Sequence, residues 1–308
     1  MKRGLTSASA PDAATHVGVL VVDDSALMQR IISRLLESDP QITVVGTAAD
    51  GLEAVEKVTA LRPDVVTLDI EMPRMDGLAA LERIMAVAPT PVVMLSALGE
   101  ADMVMAALQA GAVEFVTKPS GTVSVDLYKV GAELVQKVKV ATFARRPTLR
   151  PAAKTKAPAA PSLWDALPAA SGRETWCAAL GASTGGPGAI SQILNAIPAS
   201  FPGALLIVQH MPVGFTRSFT VRLDREVALT VLEAEDGARP APGSVYVAPG
   251  GRHMRLGRDA RGPVIVLEDS PPVNSVRPSI DVLMASVAET CGAESVGVLL
   301  TGMGRDGA

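Results

Sequence analysis

From residue 17 to about residue 140, short runs of β-branched and aliphatic residues alternate with segments of helical period. That alternation predicts a parallel sheet covered by helices on both faces. The predicted strands cover 19–22, 42–47, 64–69, 92–96 and 113–116. Between the first two, Leu27, Met28, Ile31, Ile32, Leu35 and Leu36 recur at three- and four-residue steps and mark one buried helix face. Ser25 stands where that helix needs a cap. Five such units predict an open, doubly wound, flavodoxin-like (βα)5 sheet, with functional groups gathered at the carboxyl ends of its strands.

After residue 140 the pattern dissolves into ARRPTLRPAAKTKAPAAPS, the composition of a semi-extended linker over 141–174. Trp164 and Leu167 near its far end suit a loose anchor on one domain. Alternation then resumes, with strands predicted at 176–181, 204–208, 245–248, 264–267 and 296–301 and a helix at 279–290. This predicts a second, Rossmann-like α/β domain over 175–308, while residues 1–16 form a tail. A length of 308 residues accommodates two domains.

Composition narrows the partners. With 28 basic against 32 acidic side chains, no field of one sign invites nucleic acid or a membrane surface. Cys177 and Cys291, the two cysteines, fit reduced thiols in a reducing cytoplasm better than a disulfide framework. MKRGLTSASAPDAATH lacks the apolar stretch of a signal peptide. No apolar run reaches the ~18 residues that span a bilayer, so a soluble protein without membrane insertion is expected.

Two groups of residues carry chemistry. Asp23 and Asp24 end the first predicted strand, Asp69 the third and Ser96 the fourth, while Lys118 follows the fifth. In a doubly wound sheet these converge. Carboxylates that close need a counter-charge, and an oxygen-rich cluster suits Mg²⁺, which binds through carboxylates and phosphate oxygens. Phosphoryl transfer needs positioning and charge neutralisation, so Asp69 is the expected acceptor.

In the second domain, WCAALGA runs into GASTGGPGAI and sets Ser183 on a Gly-rich turn between strand and helix. The helix N-terminus beyond it offers unpaired N–H groups and positive dipole to a developing oxyanion. A dinucleotide-binding loop is the rival reading, but Gly181, Gly185 and Gly186 miss the G-x-G-x-x-G spacing, and the next strand ends in Gln209-His210 without the acidic residue. Serine needs a base. His16 lies in the tail; His210 ends the strand after the serine; His253 is the rival, expected in a structural or substrate-contact role. Asp306, in a strand-end loop, can orient an imidazole. Thr216 and Arg217 are placed on a loop near His210, where substrate contact competes with plain solvation.

Both halves resemble known families. VVDDS, TLDIEMPRMDG, MLSA and EFVTKP, at positions 21, 67, 94 and 114, resemble response-regulator receiver domains. The resemblance implies Asp24 and Asp69 as metal ligands, Asp23 acting through water, the Glu71 main-chain carbonyl as a further ligand, and Ser96 and Lys118 on the phosphoryl group. Phe115 stands where that family often has a switching aromatic. GASTGGPGAI, QHMPVGFTRSF, VYVAPGGRHM, VNSVRPSIDVLMASVAE and GVLLTGMGRDGA resemble the catalytic domain of chemotaxis protein-glutamate methylesterases.

That second resemblance implies a triad of Ser183, His210 and Asp306, an oxyanion site of the Thr184 and Met303 backbone N–H groups, and glutamine deamidation beside ester hydrolysis. No cofactor is implied for the esterase step. Implied partners are the methylated cytoplasmic domains of chemoreceptors and a chemotaxis histidine kinase as phosphodonor, with the protein acting as a monomer. The receiver is expected to pack over the esterase site until phosphorylated. The family continues with more helix and strand beyond the position of Ala308, and Asp306, two residues from the end of this sequence, is expected to fray unless packing holds it. Two other output functions compete with this: DNA binding, which calls for a basic recognition helix that is missing here, and a catalytically silent scaffold.

Overall fold

The computed structural model describes residues 16–97, 99–118, 124–143, 177–302 and 304–308. The N-terminal tail before His16, the linker with Trp164 and Leu167, and Met303 lie outside the described residues.

The first domain runs β1 (Val17–Val22), α1 (Ala26–Leu36), β2 (Ile42–Ala48), α2 (Gly51–Leu61), β3 (Val65–Asp69), α3 (Gly77–Val87), β4 (Val92–Ser96), α4 (Ala101–Gln109), β5 (Glu114–Thr117) and α5 (Ser124–Ala141). Its strands pair in parallel in the order β2-β1-β3-β4-β5. Period-two side-chain direction assembles the layers. Val17, Val19 and Val21 of β1 join Ile32, Leu36, Leu134 and Val138 on the face under α1 and α5. Leu20 and Val22 point to the other face, with Val58, Leu81 and Ile84 of α2 and α3.

Helix starts follow their capping residues. Ser25, Asp50 and Asp76 each accept a first-turn N–H, satisfying donors that the helix itself leaves open. The stripe expected on α1 is narrower than its apolar sequence: Ile32 and Leu36 are buried, whereas Leu27 is 59% exposed. A helix presents one face to a sheet, and Leu27 is turned about 100° from Met28 along it.

The second domain runs β6 (Cys177–Ala182), α6 (Gly186–Asn195), β7 (Ala204–Gln209), α7 (Phe215–Glu226), β8 (Thr230–Glu233), β9 (Ser244–Val247), β10 (His253–Asp259), β11 (Gly262–Glu268), α8 (Ile280–Cys291) and β12 (Ser295–Leu299). A second parallel sheet has the order β12-β6-β7-β9-β8. The strand expected at 264–267 does not join it. It forms an antiparallel hairpin, β10 with β11, whose Met254, Leu256, Ile265 and Leu267 pack with Ile280, Leu283 and Val287 of α8. Strand β8 has no counterpart in the sequence reading, because at the sheet's edge only its Val231 is buried and it lacks the apolar run of the inner strands.

The two domains meet. Apolar residues under α3 and α4 and those under α6 and α7 form one continuous cluster. At its centre the Phe115 and Phe215 rings stack, with centroids 4.9 Å apart and planes inclined by 11°. At the other end of α7, Gln109 Nε2 donates to Glu226 Oε1 at 3.1 Å. Helix α4 and Phe115, both near the expected phosphoryl site, therefore lie in the domain contact.

No helix among the described residues is long and apolar enough to cross a membrane. Cys177 and Cys291 form no disulfide among the described residues. Burial, with Cys291 nearby, pushes the Cys177 thiol up to about 12.

Candidate functional site

Strand order in the first sheet reverses beside β1 and β3, and a crevice opens at such a switch point beyond the carboxyl ends. Asp23 and Asp69 are delivered there by the ends of β1 and β3. Carboxylate oxygens of Asp23, Asp24 and Asp69 all lie within 4.8 Å of one another. Lys118 Nζ pairs with Asp23 Oδ2 at 2.8 Å and with Asp69 Oδ2 at 2.6 Å. Burial pushes the Asp69 carboxyl up to about 6, against the opposing pull of Lys118. Glu71 lines the same cleft with Asp24, Asp69 and Lys118.

Ser96, at the end of β4, is fully buried, and its hydroxyl has no hydrogen-bond partner among the described residues. An unpaired buried hydroxyl is costly. It fits a site that completes its bonding with a phosphoryl oxygen. The donor set, hard carboxylate oxygens with room beside them, fits Mg²⁺.

In the second sheet, β6 and β7 lie side by side in parallel, with Ala182 opposite Gln209. Ser183 and His210 therefore emerge next to each other at one sheet edge. His210 Nδ1 lies 3.1 Å from Ser183 Oγ, and its Nε2 lies 2.8 Å from Asp306 Oδ2. A carboxylate can only accept, so Asp306 fixes the proton on Nε2 and leaves Nδ1 free to receive one from the serine.

Packing holds Asp306 in place. Ser279 Oγ donates to it at 2.5 Å, the Ile280 N–H at 2.6 Å and Asn274 Nδ2 at 3.2 Å. The next residue, Gly307, donates its N–H to Asp281 at 2.9 Å. Burial disfavours the Asp306 carboxylate, but the bonds from His210, Ser279, Ile280 and Asn274 outweigh it and hold the group well below the usual carboxylate range. The N-terminus of α8 adds favourable dipole. Fraying, the expectation for a residue so near the end of the sequence, is not what these bonds describe.

Beyond Ser183 the chain turns into α6 through Gly185, whose φ of 74° is left-handed backbone that suits glycine. The Thr184 N–H, at that turn, has no partner among the described residues. Met303, the other expected oxyanion donor, lies outside them. His253 is fully buried, and both its ring nitrogens are engaged by backbone: Nδ1 accepts the Ser279 N–H and Nε2 donates to the Pro271 carbonyl, each at 3.1 Å. It braces the start of α8. Thr216 and Arg217 are not on a loop but on the first turn of α7. Thr216 is buried, donating to Glu233 at 2.6 Å and accepting the Gly250 N–H at 3.1 Å, while Arg217 faces solvent.

Sequence reasoning missed the receiver residues that wall this pocket. Glu114 and Lys137 line it opposite Ser183, Thr184 and His210. Glu114 Oε1 accepts the Gly185 N–H at 2.9 Å, and its other oxygen pairs with Lys137 Nζ at 3.1 Å. Lys137 also reaches Glu133 at 2.8 Å and the Phe115 carbonyl at 2.7 Å. Burial alone would lower its pKa, but Glu114 and Glu133 raise it above the ordinary lysine value. The available signal was a glutamate opening an otherwise apolar strand.

An acidic cleft on one sheet and a hydrogen-bonded serine, histidine and aspartate on the other suit a hydrolase joined to a regulatory domain. Residues 19–126 match the response regulator receiver domain model, and residues 178–308 match the CheB methylesterase model. The protein-glutamate methylesterase/protein-glutamine glutaminase of Symbiobacterium thermophilum is 49% identical over 304 residues, covering 95% of this chain and 82% of that protein. Proteins of the same description from Koribacter versatilis and Thermotoga maritima are 46% and 43% identical, over 96% and 94% of this chain and 82% and 83% of theirs. The chain belongs to the protein-glutamate methylesterase/protein-glutamine glutaminase family, and it is a carboxylic ester hydrolase.

Proposed function

We propose that the chain is a phosphorylation-activated enzyme of chemotaxis that hydrolyses glutamyl γ-methyl esters on the cytoplasmic domains of chemoreceptors, and that it deamidates receptor glutamines at the same site. The observation that carries this is the hydrogen-bonded series Ser183 Oγ, His210 Nδ1, His210 Nε2, Asp306 Oδ2, at 3.1 and 2.8 Å. Ser183 Oγ attacks the γ-carbonyl carbon as its proton passes to His210 Nδ1. Negative charge on the carbonyl oxygen is met by the Thr184 N–H and the positive end of α6. Collapse expels methanol, or ammonia from glutamine, with the proton returned from His210. Water, activated by the same imidazole, then releases the glutamate carboxylate.

Residues 17–140 act as the receiver and 141–174 as the linker. Asp69 takes the phosphoryl group, forming a P–O bond to one carboxylate oxygen as the donor's leaving group departs, with Ser96 and Lys118 on the phosphoryl oxygens. Asp24, Asp69 and the Glu71 carbonyl, with Asp23 through water, would hold Mg²⁺, which when bound would neutralise the charge gathered there. A chemotaxis histidine kinase in the cytoplasm is the expected donor.

Incubating methyl-labelled receptor with the chain, with and without acetyl phosphate, and measuring released methanol tests the reading. Methanol above a receptor-only control, increased by the phosphodonor, is expected. No release under either condition would leave a silent scaffold. Glu114 supplies a sharper regulatory prediction, since it and Lys137 wall the resting site. Glu114→Ala is expected to raise basal methanol release several-fold, up to the roughly tenfold that a shift of about 1.4 kcal/mol permits. Deleting residues 1–140 should do the same and abolish the response to acetyl phosphate. An isolated esterase no faster than the unphosphorylated chain would show that the receiver activates without covering.

A further inference from the structure

The side chain of Gln209 is placed in a way that stability does not explain. It is the last residue of β7, 2% exposed, and its Oε1 is buried with no hydrogen-bond partner among the described residues. Buried polar atoms are nearly always paired, because each unpaired acceptor forfeits its hydration. An apolar side chain of similar shape would avoid that loss.

The amide nitrogen accounts for the residue. Gln209 Nε2 donates to the Ser183 carbonyl at 2.9 Å and to the His210 carbonyl at 3.1 Å. Turning the amide over would set its oxygen against two carbonyl oxygens, so the bonding pattern itself fixes the orientation. Room for it comes from Gly186, where any Cβ would overlap Gln209 Oε1. A second glycine after the nucleophile thus has a steric reason.

Position gives these bonds their meaning. The parallel ladder between β6 and β7 ends at Ala182 opposite Gln209. Its last rung is the His210 N–H on the Ala182 carbonyl at 3.1 Å. One residue further on, the strands part into different loops, and Ser183 and His210 lie at that parting. The Gln209 amide continues the ladder with a side chain, gripping the main chain of nucleophile and base at once.

We infer that Gln209 is a positioning residue for the hydrolytic reaction: its amide N–H groups tie the Ser183 and His210 backbones together and hold Ser183 Oγ in line with His210 Nδ1. The inference rests on the assignment of Ser183 and His210 as nucleophile and base. It concerns catalysis and not substrate binding, since the amide reaches the reacting groups only through their main chain.

The test is Gln209→Met in the full chain, assayed for methanol release from methyl-labelled receptor with acetyl phosphate present. Methionine keeps the length of the side chain and removes both the donors and the orphaned oxygen. Displacing a nucleophile by about 1 Å can cost on the order of 100-fold. The expected result is a fall of about 10- to 100-fold in kcat, with KM within about twofold and the thermal midpoint not lowered. Phosphonylation of Ser183 by a fluorophosphonate should slow by the same factor, because that reaction needs the aligned serine and imidazole but no receptor. Gln209→Leu, which likewise cannot donate, reads the same quantity if the methionine variant does not fold.

Wild-type kcat in a folded Gln209→Met or Gln209→Leu variant overturns the inference, as does a loss tracking only the folded fraction with normal phosphonylation of what remains. Ser183→Ala run alongside separates the two levels: if it retains activity, the triad assignment fails; if it is inactive while Gln209→Met is normal, only the role of Gln209 fails.

Discussion

Ser183→Ala is expected to abolish methanol release while the chain stays folded. The hydroxyl is the proposed attacking group, and its removal leaves Gly186 N–H still donating to the Ser183 carbonyl at 2.9 Å and residue 183 N–H to the Thr301 carbonyl at 3.0 Å. Both bonds are backbone and indifferent to the side chain. A far-ultraviolet spectrum and thermal midpoint matching the parent, with no methanol above the receptor-only control, is the predicted result. His210→Ala should come close to it, since general-base assistance is typically worth about 10²- to 10⁴-fold. Should His253→Ala prove the more damaging to activity per folded molecule, the base is misassigned. The geometry argues against that, because both His253 nitrogens are already engaged by backbone groups.

Much of this arrangement was legible in the sequence, for a physical reason. Parallel strands buried on both faces must be continuous apolar runs, and the residue that ends each run is then at the sheet's functional edge. Asp69, Ser96, Ser183 and His210 could be placed by that argument alone. What escaped was local or reciprocal. Strand β8 is an edge strand with only Val231 buried, and hairpin β10–β11 interrupts a parallel alternation with an antiparallel element. Thr216 looked like loop chemistry because helix α7 starts earlier than the glycine before it suggests; its hydroxyl instead bonds Glu233 across to the end of β8. Glu114, Lys137 and Gln209 matter through what they face, and no single-chain periodicity reports which residue of one domain meets the other's backbone N–H.

Asp69→Asn is expected to abolish phosphoryl incorporation from acetyl phosphate, and with it all activation, while unstimulated hydrolysis stays at the parent's level. An amide cannot form the acyl phosphate, and Asp69 is on the receiver sheet, apart from the Ser183 edge. Activation of this variant by acetyl phosphate would refute the assignment. Acidity offers a second reading of the same residue. With burial pushing the Asp69 carboxyl up to about 6, labelling without Mg²⁺ should decline as pH falls through that value, where the nucleophilic carboxylate is lost. Added Mg²⁺ favours the ionised carboxylate and should carry labelling to lower pH. Under the proposed regulation, β5 is the element that touches both sites. Lys118, just past the end of that strand, is paired with Asp69, while Glu114 and Phe115 at its start contact Gly185 and Phe215. A phosphoryl group on Asp69 competes for Lys118 and for the unpaired Ser96 hydroxyl. It can uncover the site only if the rearranged strand packs less favourably against α6 and α7, because a modification indifferent to both arrangements shifts nothing. Phe115→Ala should therefore narrow the difference between phosphorylated and resting rates, raising the resting rate while leaving phosphoryl incorporation intact. If the resting rate stayed low and the response to acetyl phosphate full, the stacked rings would be packing alone, and the signal would run through Glu114 or α4.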